Sequence, residues 1–500
     1  MNLFQAIIRA IIQRTGAAKR DRADASGQAQ RLPGSPSLRH VLDNLKNCAD
    51  LTHRRYPEIR VDLVYFGHQV NADMLYRDVV HPLLQVKEQE VPLLLRQSQF
   101  QRTDDSKALI TGILSGRAAV FHQGAAYLVD IYGPLTRSIA ESETETVMVG
   151  PHDAFNENAE DNLSLIRKRI RSSHLKVLKL SVGEVTKTDV YLLYIEGIAN
   201  MANVRKAYER IEAIETDGVY DISMLIQLID DHPNSIFPQY LTTERPDSAV
   251  SKLVGGRVVA MMDGSPSVFS APTSLFEFFS SADDYYQRWM LGTATRMLRF
   301  IAFGITIGFT ALYVAVSTYH YEMIPENLLR TFVESRSRVP FPPVYEALLM
   351  EATIELLREA GARLPTKIGQ TIGIVGGIVI GQAAVQAGFS SNILIIAVAS
   401  SAIASFVIPS YVMSASIRLI RFGLIALAGV WGNFGLAVGV TIMVIHLSGL
   451  TSLGSSYLTP VAPFKFSDWV DTFIRGPFRA ISKRPTQTQT PNLVKQKMKK

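Results

Sequence analysis

From position 360 to position 467 the chain contains no aspartate and no glutamate. A soluble domain scatters acidic and basic groups over its solvated surface. A stretch of that length without one acid, dense in Ile, Val, Ala and Gly, has no ordinary solvated face. Residues 39–290 are charge-rich by contrast. The average composition, 47% hydrophobic with a net charge of +6 over 500 residues, hides this asymmetry. The split predicts a multidomain chain, with an N-terminal α/β domain followed by an all-α polytopic membrane domain.

The membrane half reads in segments. Phe300 to Tyr319 carries no charge and has the length a transmembrane helix needs. Arg288, Arg296 and Arg299 flank its start, which places that end and the soluble domain in the cytoplasm. Further apolar runs cover 371–388, 392–413 and 419–447. Together they predict about four to six membrane segments. In 341–361, two prolines set up a helix start, and Glu351, Glu355, Arg358 and Glu359 share one stripe while Glu346 lies off it. A carboxylate facing lipid is expensive, so the stripe faces water, protein or a lumen. It is either an amphipathic helix at the membrane surface or a buried network lining an ion pathway. Gly369, Gly373, Gly377 and Gly381 recur every fourth residue, a spacing that permits close helix packing in lipid. Gln370 and Gln382 lie among them and are candidates for a narrow polar pathway.

Topology stays open at this level. If 341–361 crosses, Arg363, Lys367, Arg418 and Arg421 lie on the cytoplasmic side, but the basic tail 475–500 then falls outside; if it does not cross, the tail is inside and those four are outside. The run 417–450 is longer than one span requires, so a broken or re-entrant element there could reconcile the two.

The soluble half divides near residue 150. In 39–150, helical spacing in RHVLDNLKNCADL precedes a strand in VDLVYFGH, and AAVFHQGAAYLVDIYG reads as a hairpin around Gln123 and Gly124. In 151–290, an Asn/Asp-rich helix start precedes Leu163, Ile166 and Ile170, and LKVLKLSVG, DVYLLYIEGI and GGRVVAMMDGSP read as strands. Residues 1–38 form a basic extension and linker, 291–465 the membrane domain, and 466–500 a basic tail. Residues 1–16 are interrupted by Arg9 and Arg14, unlike a signal peptide. The single cysteine, Cys48, reads as a small buried residue.

Catalytic chemistry is not apparent. No phosphate-cradling loop, dinucleotide fingerprint or zinc-spaced Cys/His cluster occurs, so the expectation is no enzyme, no cofactor and no metal. His152 and Asp153 are adjacent on a loop and point apart. Arg167, Lys168 and Arg169 lack interleaved aromatics, and read as a solvated helix face rather than a nucleic-acid contact.

The runs GPHDAFNENAEDNLSLIRKRI, LLYIEGIAN, TTERPD, DGSPSVFSAP, DYYQRW, PFPPVYEALLMEATIELLREAGARLP, IGQTIGIVGGIVIGQAAVQAG and IASFVIPSY resemble the GerA family of spore germination proteins, in its A-type subunits. The resemblance spans roughly 40–470. His152 departs from it, since the family often has Arg there. The resemblance implies an integral protein of the spore inner membrane that acts in nutrient-triggered germination. It implies work beside a B-type permease-like subunit and a C-type lipoprotein, assembly into a homo-oligomer among membrane lipids, and an ion channel gated by nutrients. Glu351, Glu355, Arg358, Gln370 and Gln382 are then the candidate pathway groups. A transporter-like subunit and a scaffold that assembles the receptor without conducting remain the alternatives. The protein is expected to stay with membranes through a carbonate wash, whereas a fragment ending near residue 285 should be soluble and folded. Insolubility of that fragment in a good expression host would count against the boundary.

Overall fold

In the computed structural model, the described residues are 36–133, 142, 145, 148–364, 376–377 and 379–495. The N-terminal extension and most of the linker, with Gly369, Gln370 and Gly373, lie outside them.

The soluble half holds two five-stranded antiparallel sheets of the same topology. The first contains β1 (Leu51–Tyr56), β2 (Val61–Phe66), β3 (Gln101–Thr103), β4 (Arg117–His122) and β5 (Ala125–Asp130), in the order β1-β2-β4-β5-β3. The second contains β6 (Leu175–Val182), β7 (Thr188–Ile195), β8 (Leu241–Thr243), β9 (Val258–Met262) and β10 (Val268–Ala271), in the order β6-β7-β9-β10-β8. The hairpin at Gln123 and Gly124 forms as expected. Both residues have positive φ, as a two-residue turn matched to strand twist requires.

A helix precedes each sheet, α1 (Leu38–Asn44) and α2 (Ala159–Arg169). Asn158 caps α2 by accepting from the amides of Glu160 and Asp161. The basic run that ends α2 is not a solvated face. Arg167 is buried and pairs with Asp50, its Nη2 donating to Oδ1 at 2.7 Å, and it stacks over Phe66. Arg169 is held by Asp153. Tertiary packing overrides the composition there, because an acid from the other subdomain is available to neutralise Arg167. Burial lowers the beside-lying His68 to about 4, so it sits there neutral. An isolated bridge from Cys48, just before β1, to Val177 of β6 links the two subdomains, with Cys48 buried as expected.

The C-terminal half is helical. Its elements are α3 (Trp289–Tyr319), α4 (Glu326–Arg336), α5 (Pro343–Arg363), α6 (Asn392–Phe406) and α7 (Tyr411–Gly449), with a further helical stretch at 379–386. Two of them, α3 and α7, are long and apolar enough to cross a membrane. Helix α5 packs inside this bundle, with Ala347, Met350 and Glu351 buried, rather than lying free at its side.

Helix α7 is broken. Gly432 has φ 60° and ψ −138°, a conformation that residues with a Cβ scarcely adopt. The chain reverses at this point. Gly439 on the second arm lies so near Leu424 on the first that a Cβ there would meet its Cδ2 at 2.4 Å, although a straight helix would hold these positions about 22 Å apart. The tip of the hairpin rests on the far end of α3, where the Tyr319 hydroxyl donates to the Val430 carbonyl at 2.8 Å. Its base returns to the soluble half. The chain after residue 450 continues there, and Arg484 and Thr490 donate to the carbonyls of Val254 and Ile198.

Replacing Gly432 with Ala forces a Cβ into this conformation, 3.0 Å from Tyr319 Cβ. The expected loss is about 1–3 kcal/mol of stability. Gly423→Ala is the control, since a Cβ there meets nothing within 4 Å and helix propensity improves. Thermal unfolding of the two variants in detergent should separate them; equal midpoints would mean the turn is not at Gly432.

Candidate functional site: a charged ladder in the helical bundle

Alanines and other small side chains let the bundle helices approach, and α5 brings carboxylates into the space left. Its direction is set by its ends. Near its start, Val344 touches the hairpin at Gly429, on the side away from the soluble half. Further along, its side chains meet residues near the hairpin base. The polar groups therefore form successive layers down the bundle.

Glu346 begins the ladder. It is 1% exposed, accepts from the Ser391 amide at 2.9 Å, and lies 3.7 Å from Arg336. It is off the stripe and reaches a different neighbour from the rest. Next comes Glu351, at zero exposure. Its Oε1 accepts from Thr310 Oγ1 at 2.8 Å, and its Oε2 pairs with Arg421 Nη2 at 2.7 Å. Thr310 also meets the Ser401 hydroxyl at 3.0 Å, so α3, α5, α6 and α7 join at one point.

Glu355, about one turn on, is shared among three guanidiniums. Arg421 donates to Oε1 at 3.2 Å, Arg418 Nε lies 3.3 Å from Oε2, and Arg358 Nη1 lies 3.6 Å from Oε1. Two serines orient the arginines from behind. Ser405 accepts from Arg358 at 3.1 Å and Ser414 accepts from Arg418 at 3.0 Å. Arg358 also lies over the Phe406 ring, 4.7 Å from its centroid. Beyond this layer the stripe turns outward, and Glu359 and Arg363 pair at the surface.

The structure thus brings Glu351, Glu355 and Arg358 together and adds Arg418, Arg421, Thr310 and Ser401, which the sequence reading did not place with them. A signal existed. Arg418 and Arg421 are lone charges in an apolar run, three residues apart, and an isolated cation in such a run needs an acid from another helix. Gln382 is exposed and joins no layer. A Cβ at Gly377 or Gly381 would meet nothing within 4 Å among the described residues.

Two further clusters fasten the bundle to the soluble half. At the start of α3, the buried Asp284 accepts from Arg299 at 2.7 Å and from Arg296 at 3.3 Å, and the Tyr285 hydroxyl donates to Asp471 at 2.8 Å. At the hairpin base, the loop 230–238 of the second subdomain contacts both arms. Ser416 donates to the Ile236 carbonyl, Ser235 meets His446 at 2.9 Å, and Tyr457 donates to the Pro238 carbonyl at 2.6 Å. Asp231 accepts from Arg210, from Thr451 and from the Gly454 amide. Burial raises the neighbouring Asp230 to about 7, and the charge of Asp231 adds to the effect.

Removing Arg421 leaves Glu351 buried without its cation. Arg421→Gln should therefore cost about 3–5 kcal/mol. Adding Glu351→Gln to it should recover part of that loss, measured by thermal unfolding of the full chain in detergent. Failure of the second change to help would mean that the pair is not coupled.

Comparison with known proteins identifies the family. A model of the Bacillus/Clostridium GerA spore germination proteins matches residues 39–487. The chain is 40% identical over 460 residues to spore germination protein GerQA of Bacillus cereus, covering 90% of this chain and 92% of that one. It is also 40% identical over 466 residues to spore germination protein A1 of Bacillus subtilis, covering 91% and 96%. Among solved structures, the N-terminal domain of the A subunit of the Bacillus megaterium spore germinant receptor GerK3 aligns with 48% of this chain and 98% of its own, with 23% identity and a TM-score of 0.37. The run of resemblances along the soluble and helical halves is thus one continuous relationship, and the chain belongs to the GerA family of spore germination proteins.

Proposed function

We propose that this chain is the A-type subunit of a spore germinant receptor, and that its helical bundle conducts ions when a nutrient signal arrives. The role in germination follows the relatives' names. The observation that carries the rest is the seating of loop 230–238 between the two arms of the hairpin. A shift of the second subdomain would move both arms, and with them Arg418 and Arg421 of the ladder. Signal reception at the soluble half and movement of charged groups in the bundle are then one mechanical event.

In this reading α3, α5, α6 and the two arms of α7 cross the spore inner membrane, and the apolar run of the sequence that ends in the stretch at 379–386 is the sixth crossing. The contacts support alternating directions. Helix α3 leaves the soluble half, α5 returns toward it, α6 runs from Ser391 beside Tyr313 to Ser405 beside Ser414, and the hairpin goes out and back. The even number keeps the soluble half and the tail together on the cytoplasmic side, where the flanking arginines belong. The B-type permease-like and C-type lipoprotein subunits are the partners, and further copies of this chain assemble around the pathway. The exposed Gln382 and the uncovered face at Gly377 and Gly381 are where the next copy would pack.

One observation favours the non-conducting alternative. Both inner carboxylates are held by arginines, as in a purely structural network. The double variant Glu351→Gln/Glu355→Gln in liposomes bearing the full receptor decides between them. The three guanidiniums left without carboxylates lower stability, and altered ion flux through receptors that still assemble is the result that supports conduction. Loss of assembly would assign the ladder to structure, and unchanged flux and stability would place the pathway elsewhere.

A further inference from the structure

The ladder has an unbalanced charge. Three guanidiniums, of Arg358, Arg418 and Arg421, face two carboxylates, of Glu351 and Glu355. One positive charge is left over, and arginine does not give up its proton in a protein. The other acids of the bundle do not supply the difference: Glu326 and Glu334 of α4 are exposed. Glu346 faces Arg336 and Glu359 is taken by Arg363. The chain that follows cannot supply it either, since positions 360–467 contain no acid. An uncompensated charge in an apolar bundle is costly enough to demand a counterion.

Hydrogen bonding points the same way. Arg421 has zero exposure, yet its Nε and Nη1 have no hydrogen-bond partner among the described residues, and neither has Nε of Arg358. Ser405 and Ser414 cannot serve an incoming anion, because their hydroxyls already donate to the carbonyls of Ala402 and Ser405. They hold the arginines in place instead. The edge toward the soluble half is the accessible one, with side-chain exposures of 15% at Arg358, 12% at Arg418 and 26% at Glu355.

We infer that the arginine edge of this ladder, formed by Arg358, Arg418 and Arg421 around Glu355, binds a small monovalent anion. Glu355 already fills part of the space between the guanidiniums, so the ligand is of halide or formate size, or is the singly charged phosphate of a lipid headgroup at that edge. A guanidinium accepts either through the same N–H groups. The inference rests on the bundle being embedded in the membrane and not on conduction, so a chain that passes no ions still tests it.

The test uses the full chain in micelles of a neutral detergent, with chloride replacing gluconate at fixed ionic strength. The expected result is a saturable rise of about 2–4 °C in the unfolding midpoint. Arg418→Gln removes the surplus charge and should abolish the rise. Glu355→Gln increases the surplus and should make the chain depend more steeply on chloride, with formate able to substitute for the lost carboxylate. A parallel series in nanodiscs with and without phosphatidylglycerol, free of chloride, separates the sources. A chloride response in micelles identifies a free anion, and a response to phosphatidylglycerol alone identifies a headgroup; both support the site. Midpoints that are unchanged both by chloride in micelles and by phosphatidylglycerol in nanodiscs overturn the proposal. So does a chloride response that survives Arg418→Gln. Where Arg418→Gln does not fold, an anion-independent Glu355→Gln overturns it instead.

Discussion

A carboxylate inside an apolar bundle must find a cation, and much of the helical half is arranged around that need. Glu351 reaches zero exposure only because Arg421 and Thr310 meet its two oxygens. That requirement fixes the rotation of α5 against α3 and α7, since turning the helix by one residue would strand a charge among Ala and Leu side chains. A well-packed apolar group of the same volume would stabilise the bundle as much or more. The contribution of the pair is therefore selectivity among packings. It also gives the interior groups that respond to charge and to displacement, which an apolar core lacks.

The second constraint is geometrical and rests on one glycine. Gly432 allows α7 to turn back, so the chain leaves the bundle on the side where it came in. The soluble half is consequently attached at both ends of the helical half. Asp284 with Arg296 and Arg299 fastens the start of α3, and loop 230–238 with the segment after residue 450 fastens the hairpin base. A domain tied at one point could swing freely. Tied at two, it is held against the bundle, and the aromatic contacts of Phe279 with Phe300 and Phe303 fill the space between the ties.

Much of the fold was legible in the sequence. The runs read as strands became β2, β4, β5, β6, β7 and β9, and the hairpin at Gln123 and Gly124 follows from turn chemistry, whereas β1, β3, β8 and β10 were not read, being short or, in β1, polar. The duplicated strand order was not legible, because the two sheets share a path and not a pattern of residues. Arg167 misled for a related reason. Its neighbours Lys168 and Arg169 suggest a solvated face, while the acid that buries it, Asp50, lies far away in the chain. In the ladder, the stripe exposed Glu351, Glu355 and Arg358, but Arg418 and Arg421 read as markers of sidedness. Local spacing reports which residues share a face and is silent on what that face meets.

By itself the sequence determined the division of the chain, the apolar length of its segments and the cost of leaving acids among them. These depend on composition and on distances along the chain, which any reader of residues can count. Tertiary structure alone decided which cation each acid would take, how many charges would remain unmatched, and whether α7 would run on or turn back. Pairing and reversal depend on which helices become neighbours, and that is settled by packing many weak contacts at once.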